Sequence, residues 1–195
     1  MSLYSQKRQE IKENIFKSAV RLFKEKDYYG VSVKDITQDV GIAKGTFYNY
    51  YSSKREILLL WSREKFINLD IRSVIDREKS IEQNLYSLIE VLTHKIEGDE
   101  DLFTSFLKEF MMMYYENPSG KRLNLKQVLY IVISASKDFN EIGEDYIELK
   151  VKVLKNAIFM ELVDWFFQEK ELEGLEQVLR DTVKVTLHGL LKNIA

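Results

Sequence analysis

The chain has 195 residues, 45% of them hydrophobic and 31% charged, with eight glycines, one proline and no cysteine. That is enough to bury a substantial core, either as one compact unit or as a small domain joined to a larger one. The missing cysteine excludes disulfides, thiolate nucleophiles and thiolate metal ligands, and the net charge of −2 excludes a uniformly basic nucleic-acid binder.

Helix formers dominate throughout, and breakers are rare enough that an all-α fold of about nine helices is expected. The start lacks the apolar run of a signal peptide, and no uncharged stretch approaches a membrane span, so a cytoplasmic protein is expected. Charge is unevenly divided. Residues 1–56 carry 11 Lys and Arg against 7 Asp and Glu, a net of +4, whereas the remainder carries 18 against 24, a net of −6. A protein that touches a polyanion with one end needs only that end to be positive.

The first helix repeats Ile11, Ile15, Ala19, Leu22 and Phe23 at three- and four-residue spacing, which gives an apolar face able to cover the elements that follow. Lys7, Arg8 and Lys12 lie near its start, where solvated basic residues are the ordinary reading. A short second helix is expected from Ser32, with Val33, Ile36 and Val40 forming one stripe and Lys34, Gln38 and Asp39 facing water. Ser32 with Asp35 has the form of a capping box. Gly41 sits where a helix end needs a residue tolerant of positive φ, and Ile42 follows it into the core.

The third helix, expected over Ala43–Tyr51, can be anchored by Phe47, while Lys44, Thr46, Tyr48 and Asn49 crowd its other side without an acid among them. Between Val40 and Arg55 there are three basic residues and no acidic one. Such a face suits a polyanion: lysine supplies charge to phosphate, and hydroxyls or amides can bond phosphate oxygens or base edges. Gly45 permits close backbone approach. Helix, turn, helix with a donor-rich second member reads as a DNA-reading element.

A fourth helix is expected from Ser53 to about Asp76, opened by a Ser53–Glu56 capping pattern. Ser80 with Gln83 marks another start and Gly98-Asp99 its stop, while Asn117-Pro118-Ser119, the stretch from Asn140 to Gly143, and Glu173-Gly174 mark later breaks. Five or six longer helices therefore follow Leu58. Glu97, Asp99, Glu100 and Asp101 read as a solvated acidic cap. His94 and His188 are far apart, so neither a His-pair metal motif nor a serine triad has local support. The run Gly41-Ile-Ala-Lys-Gly45-Thr is one residue short of a phosphate loop, and its Lys precedes the second glycine. No catalytic residue, metal or cofactor is expected.

The runs Val33-Lys-Asp-Ile36, Gly41-Ile-Ala-Lys-Gly-Thr-Phe-Tyr-Asn-Tyr-Tyr51 and Ser53-Lys-Arg-Glu-Ile-Leu58 closely resemble the N-terminal signature of TetR/AcrR-type transcriptional regulators. The resemblance covers about the first third of the chain. It implies a homodimer whose three-helix DNA-binding domain, residues 1–52, is joined to a helical effector-binding and dimerisation domain, residues 53–195. Position by position it places Lys44, Gly45, Thr46, Tyr48 and Tyr50 toward DNA, with Ser32, Lys34 and Lys54 as further contacts. Asn49, a donor on the same face, falls at a variable position of the family, and Tyr51 stands where the family commonly has phenylalanine.

The same resemblance implies a ligand-responsive repressor of a palindromic operator, released by a small molecule. An aromatic and methionine-rich stretch supplies candidate lining for a hydrophobic effector: Trp61, Phe103, Phe106, Phe110, Tyr114, Tyr130 and Phe159. Leu154, Ile158, Leu162 and Trp165 on one helix, with Val178, Thr182, Val185, Thr186 and Gly189 on the last, are candidate dimer contacts. Intramolecular packing is the competing role for both groups. The competing function is a helical ligand-binding or protein-interaction module without operator-specific DNA binding.

Overall fold

A computed structural model describes residues 3–67, 71–116, 125–142, 147–168 and 171–191. Among them are ten α-helices and no strand. The helices sort into two compact units, one made of residues 1–65 with 99–120 and the other of residues 66–98 with 121–195.

The first unit contains α1 (Leu3–Lys26), α2 (Val33–Val40), α3 (Lys44–Tyr48), α4 (Lys54–Ser62) and α6 (Glu100–Glu116). Ile15, Ala19, Leu22 and Phe23 of α1 are buried, as the helical spacing requires. Helix α1 packs against α2, α4 and α6, and α3 packs against α2; Ile36 of α2, Phe47 of α3, Ile57 and Leu58 of α4, and Leu102, Phe106 and Leu107 of α6 are buried as well. The inclusion of α6 ties a helix from the middle of the chain to the N-terminal elements.

Four ion pairs, in two clusters, hold α6 there. Arg55 at the start of α4 donates to Glu109 at 2.5 Å and to Glu116 at 2.9 Å. Asp99, just before α6, pairs with Lys24 of α1 and with Lys65. Its carboxylate is buried, which corrects the solvated cap expected there for Asp99, whereas Glu97 and Asp101 are exposed. The basic partners that make this burial tolerable come from distant parts of the chain.

The fourth helix is shorter than its sequence suggests. Its α-helical spacing ends at Ser62, gives way to a π-helical turn over Arg63–Ile67, and a 3-10 turn occupies Ile71–Ser73. No local breaker announces that change, because Arg63–Ile67 has ordinary helical propensity.

The second unit contains α5 (Ile81–Ile96), α7 (Leu125–Ser134), the single-turn α8 (Phe139–Ile142), α9 (Ile147–Phe167) and α10 (Leu175–Leu191). The expected Ser80–Gln83 capping box opens α5. The short α8 brings the count to ten among the described residues, one more than the sequence suggested. The expected break at Asn117–Ser119 lies outside the described residues.

Fully buried Asn84 organises one end of this unit. Its Oδ1 accepts from the Asp76 amide at 2.9 Å, while Nδ2 donates to the Asp76 carbonyl at 2.8 Å and to Ser136 Oγ at 2.9 Å. A buried amide satisfied on both sides fixes the approach of neighbouring segments. At the other end Gly174, with φ of 90°, separates α9 from α10. Trp165 Nε1 donates to the Glu171 carbonyl at 2.9 Å, and a Cβ at Gly174 would lie 3.3 Å from the Trp165 ring.

Candidate nucleic-acid interface and regulatory body

The helix-turn-helix element is built by local chemistry. Ser32 Oγ accepts from the Asp35 amide at 3.2 Å, and the Asp35 carboxylate accepts from the Ser32 amide at 2.8 Å. This reciprocal cap satisfies two otherwise orphaned donors. The hydrogen bonds from Ser32 hold the Asp35 carboxyl below its ordinary range. At the far end of α2, Gly41 adopts φ of 75°, and the Ile42 amide donates to the Thr37 carbonyl at 3.0 Å. A left-handed residue at this place reverses the chain at low cost only as glycine or asparagine.

Asp39 fixes α2 against α1. It accepts from Ser18 Oγ and from Arg21, each at 2.6 Å, and these bonds lower its carboxyl from the ordinary value. Although exposed, as its helical position implied, Asp39 is a strut rather than a free surface charge.

Helix α3 is a five-residue segment continued by turns to Tyr51, shorter than the span expected from Ala43. Tyr50 and Tyr51 amides donate to the Phe47 carbonyl at 2.9 and 3.0 Å. Its Ala43 cap makes no side-chain hydrogen bond, so orientation depends on the wholly buried Phe47 ring, which meets Tyr48 edge-on at 5.4 Å. Tyr51 is buried too, and its hydroxyl donates to the Lys12 carbonyl at 3.2 Å. That bond supplies the partner the extra hydroxyl requires.

Opposite Phe47, Lys44, Gly45, Tyr48 and Asn49 are exposed, while Thr46 and Tyr50 are half-buried. Lys34 and Ser32 are also exposed. A Cβ placed on Gly45 meets nothing within 4 Å. Glycine there is therefore not required by the protein's own packing.

Lys54 occupies a different environment from a free phosphate ligand. Its ammonium donates to the carbonyls of Tyr28 at 2.7 Å and Val31 at 2.8 Å, and it lies 4.3 Å from the Tyr28 ring centroid. Burial lowers its pKa from the ordinary lysine value. An open groove of about 410 Å³ runs past this point, lined by Tyr29, Gly30, Val31, Ser32, Val33, Tyr48, Ser52, Ser53 and Lys54. Sequence reasoning missed Tyr29, which no periodicity singles out.

The residues expected at an effector pocket divide between the two units. Trp61, Phe103 and Phe106 are buried in the first, where the Phe103, Phe106 and Phe110 rings follow one another at tilted angles with centroids 5.8 Å apart. Tyr130 is exposed and Phe159 half-buried in the second. The side chain of Tyr114 lies outside the described residues.

The residues expected at a dimer contact also separate. Leu154, Ile158 and Trp165 are buried inside their own unit, and Leu162 is half-buried. The opposite side of α9 carries Leu149, Val153, Met160 and Phe167, all exposed at helical spacing. On α10, Leu175, Leu179, Val183 and Leu187 face inward, whereas Val185 is 74% exposed. Val178, Asp181, Thr182, Val185 and Thr186 line an open groove of about 350 Å³, and Gly189 is exposed. Sequence periodicity could not choose between the sides of α9, because that helix is apolar nearly all round.

Among the described residues, no cluster of His, Asp and Glu is arranged to hold a metal. His94 lies 3.0 Å from Glu97 and His188 3.8 Å from Glu82, both on the surface. No helix among the described residues is long and apolar enough to cross a membrane.

Residues 15–60 match the family model described as bacterial regulatory proteins, tetR family. A Bacillus subtilis HTH-type transcriptional regulator, YerO, is 31% identical over 125 residues; the match covers 63% of this chain and 42% of that protein. The Staphylococcus aureus negative transcriptional regulator of the biofilm operon icaADBC, IcaR, is 26% identical over 93% of this chain and 100% of its own. Among solved structures, the Thermus thermophilus TetR-family repressor FadR in complex with lauroyl-CoA superimposes with a TM-score of 0.69 at 21% identity, covering 94% of this chain and 97% of that one. A TetR regulator from Rhodococcus sp. RHA1 gives a TM-score of 0.61 at 16% identity, covering 96% of this chain and 100% of that one. The matched segment spans the capped α2, the Gly41 turn, α3 and most of α4, so these residues carry the signature of the tetR family of bacterial regulatory proteins, and nearly the whole chain shares the fold of the solved structures above.

Proposed function

We propose that this protein is a ligand-responsive repressor that binds a palindromic operator as a homodimer in the cytoplasm and carries out no catalysis. Residues 1–52 supply the DNA-reading domain and residues 53–195 the effector and dimerisation body. The observation that carries the DNA reading is the outer side of α3. There Lys44, Tyr48 and Asn49 surround a glycine that internal packing leaves free, with Phe47 fixing the helix from behind. Ser32, Lys34, Thr46, Tyr50 and Lys54 complete the contact set. Lys44→Ala should weaken binding and reduce the magnitude of the slope of log K against log salt by about 0.9, the contribution of one neutralised phosphate. An unchanged affinity and slope would remove Lys44 from the interface.

One such helix reads only a few base pairs, whereas two related by a twofold axis read half-sites about one turn, ~34 Å, apart. The exposed apolar stripe of α9 and the groove of α10 support an isologous contact made by these two helices. Release requires an effector that binds the non-DNA conformation better. A hundredfold preference corresponds to about 2.7 kcal/mol of coupling.

A hydrophobic effector is supported by the aromatic content of α4, α6 and α9, and by the lauroyl-CoA bound to the Thermus thermophilus neighbour. Fatty acyl-CoA thioesters of graded chain length should raise the melting temperature, with longer chains more effective. Stabilisation by small polar ligands alone would refute a hydrophobic effector.

A further inference from the structure

Helix α1 runs about two turns further than its packing uses. Its first wholly buried residue is Ile15, whereas Tyr4 is 79% exposed and Gln6, Lys7, Arg8, Gln9 and Glu10 are exposed as well. At 1.5 Å per residue, the stretch from Leu3 to Glu10 projects about 12 Å beyond the core of the first unit. It also lies ahead of residues 15–60, the segment that the family model matches. Neither internal packing nor the shared signature accounts for it.

The stripe that packs α1 continues into this projection with its chemistry changed. Ile15 and Ile11 are followed, toward the start of the helix, by Arg8 and Tyr4 at the same three- and four-residue spacing, with Lys7 and Lys12 to either side. Glu10 and Glu13 fall on the other side of the helix, where Glu13 accepts from Gln9 at 2.9 Å. Among the described residues, neither Lys7 nor Arg8 is engaged in an ion pair or a side-chain hydrogen bond. The projection is anchored at its base: the Tyr51 hydroxyl donates to the Lys12 carbonyl at 3.2 Å, and the Lys12 ammonium lies 5.8 Å from the Tyr51 ring centroid. Tyr51 joins the end of α3 to the start of α4, so the basic side of α1 emerges beside the exposed Tyr48 and Asn49. A packing face that turns cationic where the protein's own core ends is complementary to an anionic surface rather than to another apolar one.

We infer that the projecting first two turns of α1 form a second DNA contact, in which Lys7 and Arg8 bind backbone phosphates flanking the bases that α3 reads. The inference rests on the DNA-binding reading above and adds to it a surface outside the helix-turn-helix. A projection of about 12 Å matches the width of a major groove, so an element anchored beside the end of α3 is long enough to reach phosphates on the rim of the groove that α3 enters. Arginine offers phosphate oxygens a planar fork and lysine a compact charge. Contacts of this kind fix register on the duplex and carry no sequence information. They add affinity and salt dependence while leaving the preferred operator unchanged.

The test uses the full-length protein and a duplex that it retains from sheared genomic DNA, titrated by fluorescence anisotropy across a series of KCl concentrations. Lys7→Ala and Arg8→Ala should each reduce the magnitude of the slope of log K against log salt by about 0.9 and raise Kd about 8-fold at 0.1 M salt, and the double variant about 60-fold, with the differences vanishing toward 1 M. Melting temperature should stay at the wild-type value, because both side chains are exposed. Lys17→Ala removes the same charge from the exposed opposite side of α1 and should leave the slope unchanged. In the double variant, ethylation of phosphates outside the shared inverted repeat should cease to interfere with binding, while interference inside the repeat persists. A double variant with wild-type slope and interference pattern, alongside a weakened Lys44→Ala, would overturn the α1 contact and leave the α3 reading standing. Equal slope reductions in Lys17→Ala and Arg8→Ala would replace the contact by a general effect of net charge and overturn it as well. If the wild-type protein retains no specific duplex, the DNA reading and this inference fail together.

Discussion

Gly45→Ala should make the protein more stable and a poorer DNA binder at once. Gly45 lies within α3 with no positive φ to protect, and an added Cβ meets no atom within 4 Å. In such a position alanine reduces the entropy of the unfolded chain and raises stability by about 0.4–1 kcal/mol. For a chain of this size that is roughly 1–4 °C in Tm. Against DNA the same methyl enters the space between helix backbone and duplex, where overpacking costs about 1–3 kcal/mol. Kd should therefore rise about 5- to 160-fold. Differential scanning fluorimetry and anisotropy titration on the same preparation give both numbers. A Tm raised as stated with unaltered Kd would show that Gly45 does not approach DNA. A lowered Tm would refute the description of α3 packing on which the argument depends.

Arg55→Ala removes the partner of Glu109, whose side chain is 8% exposed, and should destabilise the first unit by about 1–3 kcal/mol in chemical denaturation. Arg55 is itself about one-third exposed, so water refills part of the space, and the double variant with Glu109→Gln should recover much of the loss. Near-additive losses would show that the pair is not coupled. Burial pushes the Tyr51 hydroxyl up to about 12, whereas an unfolded tyrosine titrates near 10. Its contribution is therefore complete below about pH 10 and lost as pH rises toward 12. Tyr51→Phe should flatten that part of the stability profile, and an unchanged alkaline slope would contradict the burial argument. Val185→Glu places a charge on the open side of α10 and should dissociate the proposed homodimer in sedimentation velocity while leaving helical circular dichroism intact. A variant that sediments like the wild-type dimer would move the interface elsewhere.

The parts of the fold that were legible in the sequence are those encoded locally. Ser32 with Asp35, Gly41, and Ser80 with Gln83 each carry a cap or turn within a few residues, so helix ends could be placed without tertiary information. Phe47 was legible as an anchor for the same reason: only one large apolar residue sits inside the donor-rich α3. The end of α4 was not, because a shift to π-helical spacing leaves no residue signature over Arg63–Ile67. Burial of Asp99 was equally invisible, since Lys24 and Lys65 are brought to it by the fold.

The two sides of α9 show a different limit. Leu154, Ile158 and Trp165 form a convincing stripe, and so do Leu149, Val153, Met160 and Phe167. Periodicity detects that each is a side, but which one meets the chain's own core depends on α10 and α7. Lys54 shows a third. Its position in the motif specifies a lysine next to a helix start, whereas the carbonyls of Tyr28 and Val31 that receive its protons are visible only in the folded chain.

Genome-wide selection of DNA fragments by the purified protein, repeated at increasing salt, tests operator recognition most directly. A dimeric reader should retain, at salt concentrations that release bulk DNA, fragments sharing an inverted repeat with half-sites about one helical turn apart or at a similar in-phase spacing. Retention that declines with salt without any shared repeat would reduce the donor-rich side of α3 to nonspecific charge attraction and contradict the account.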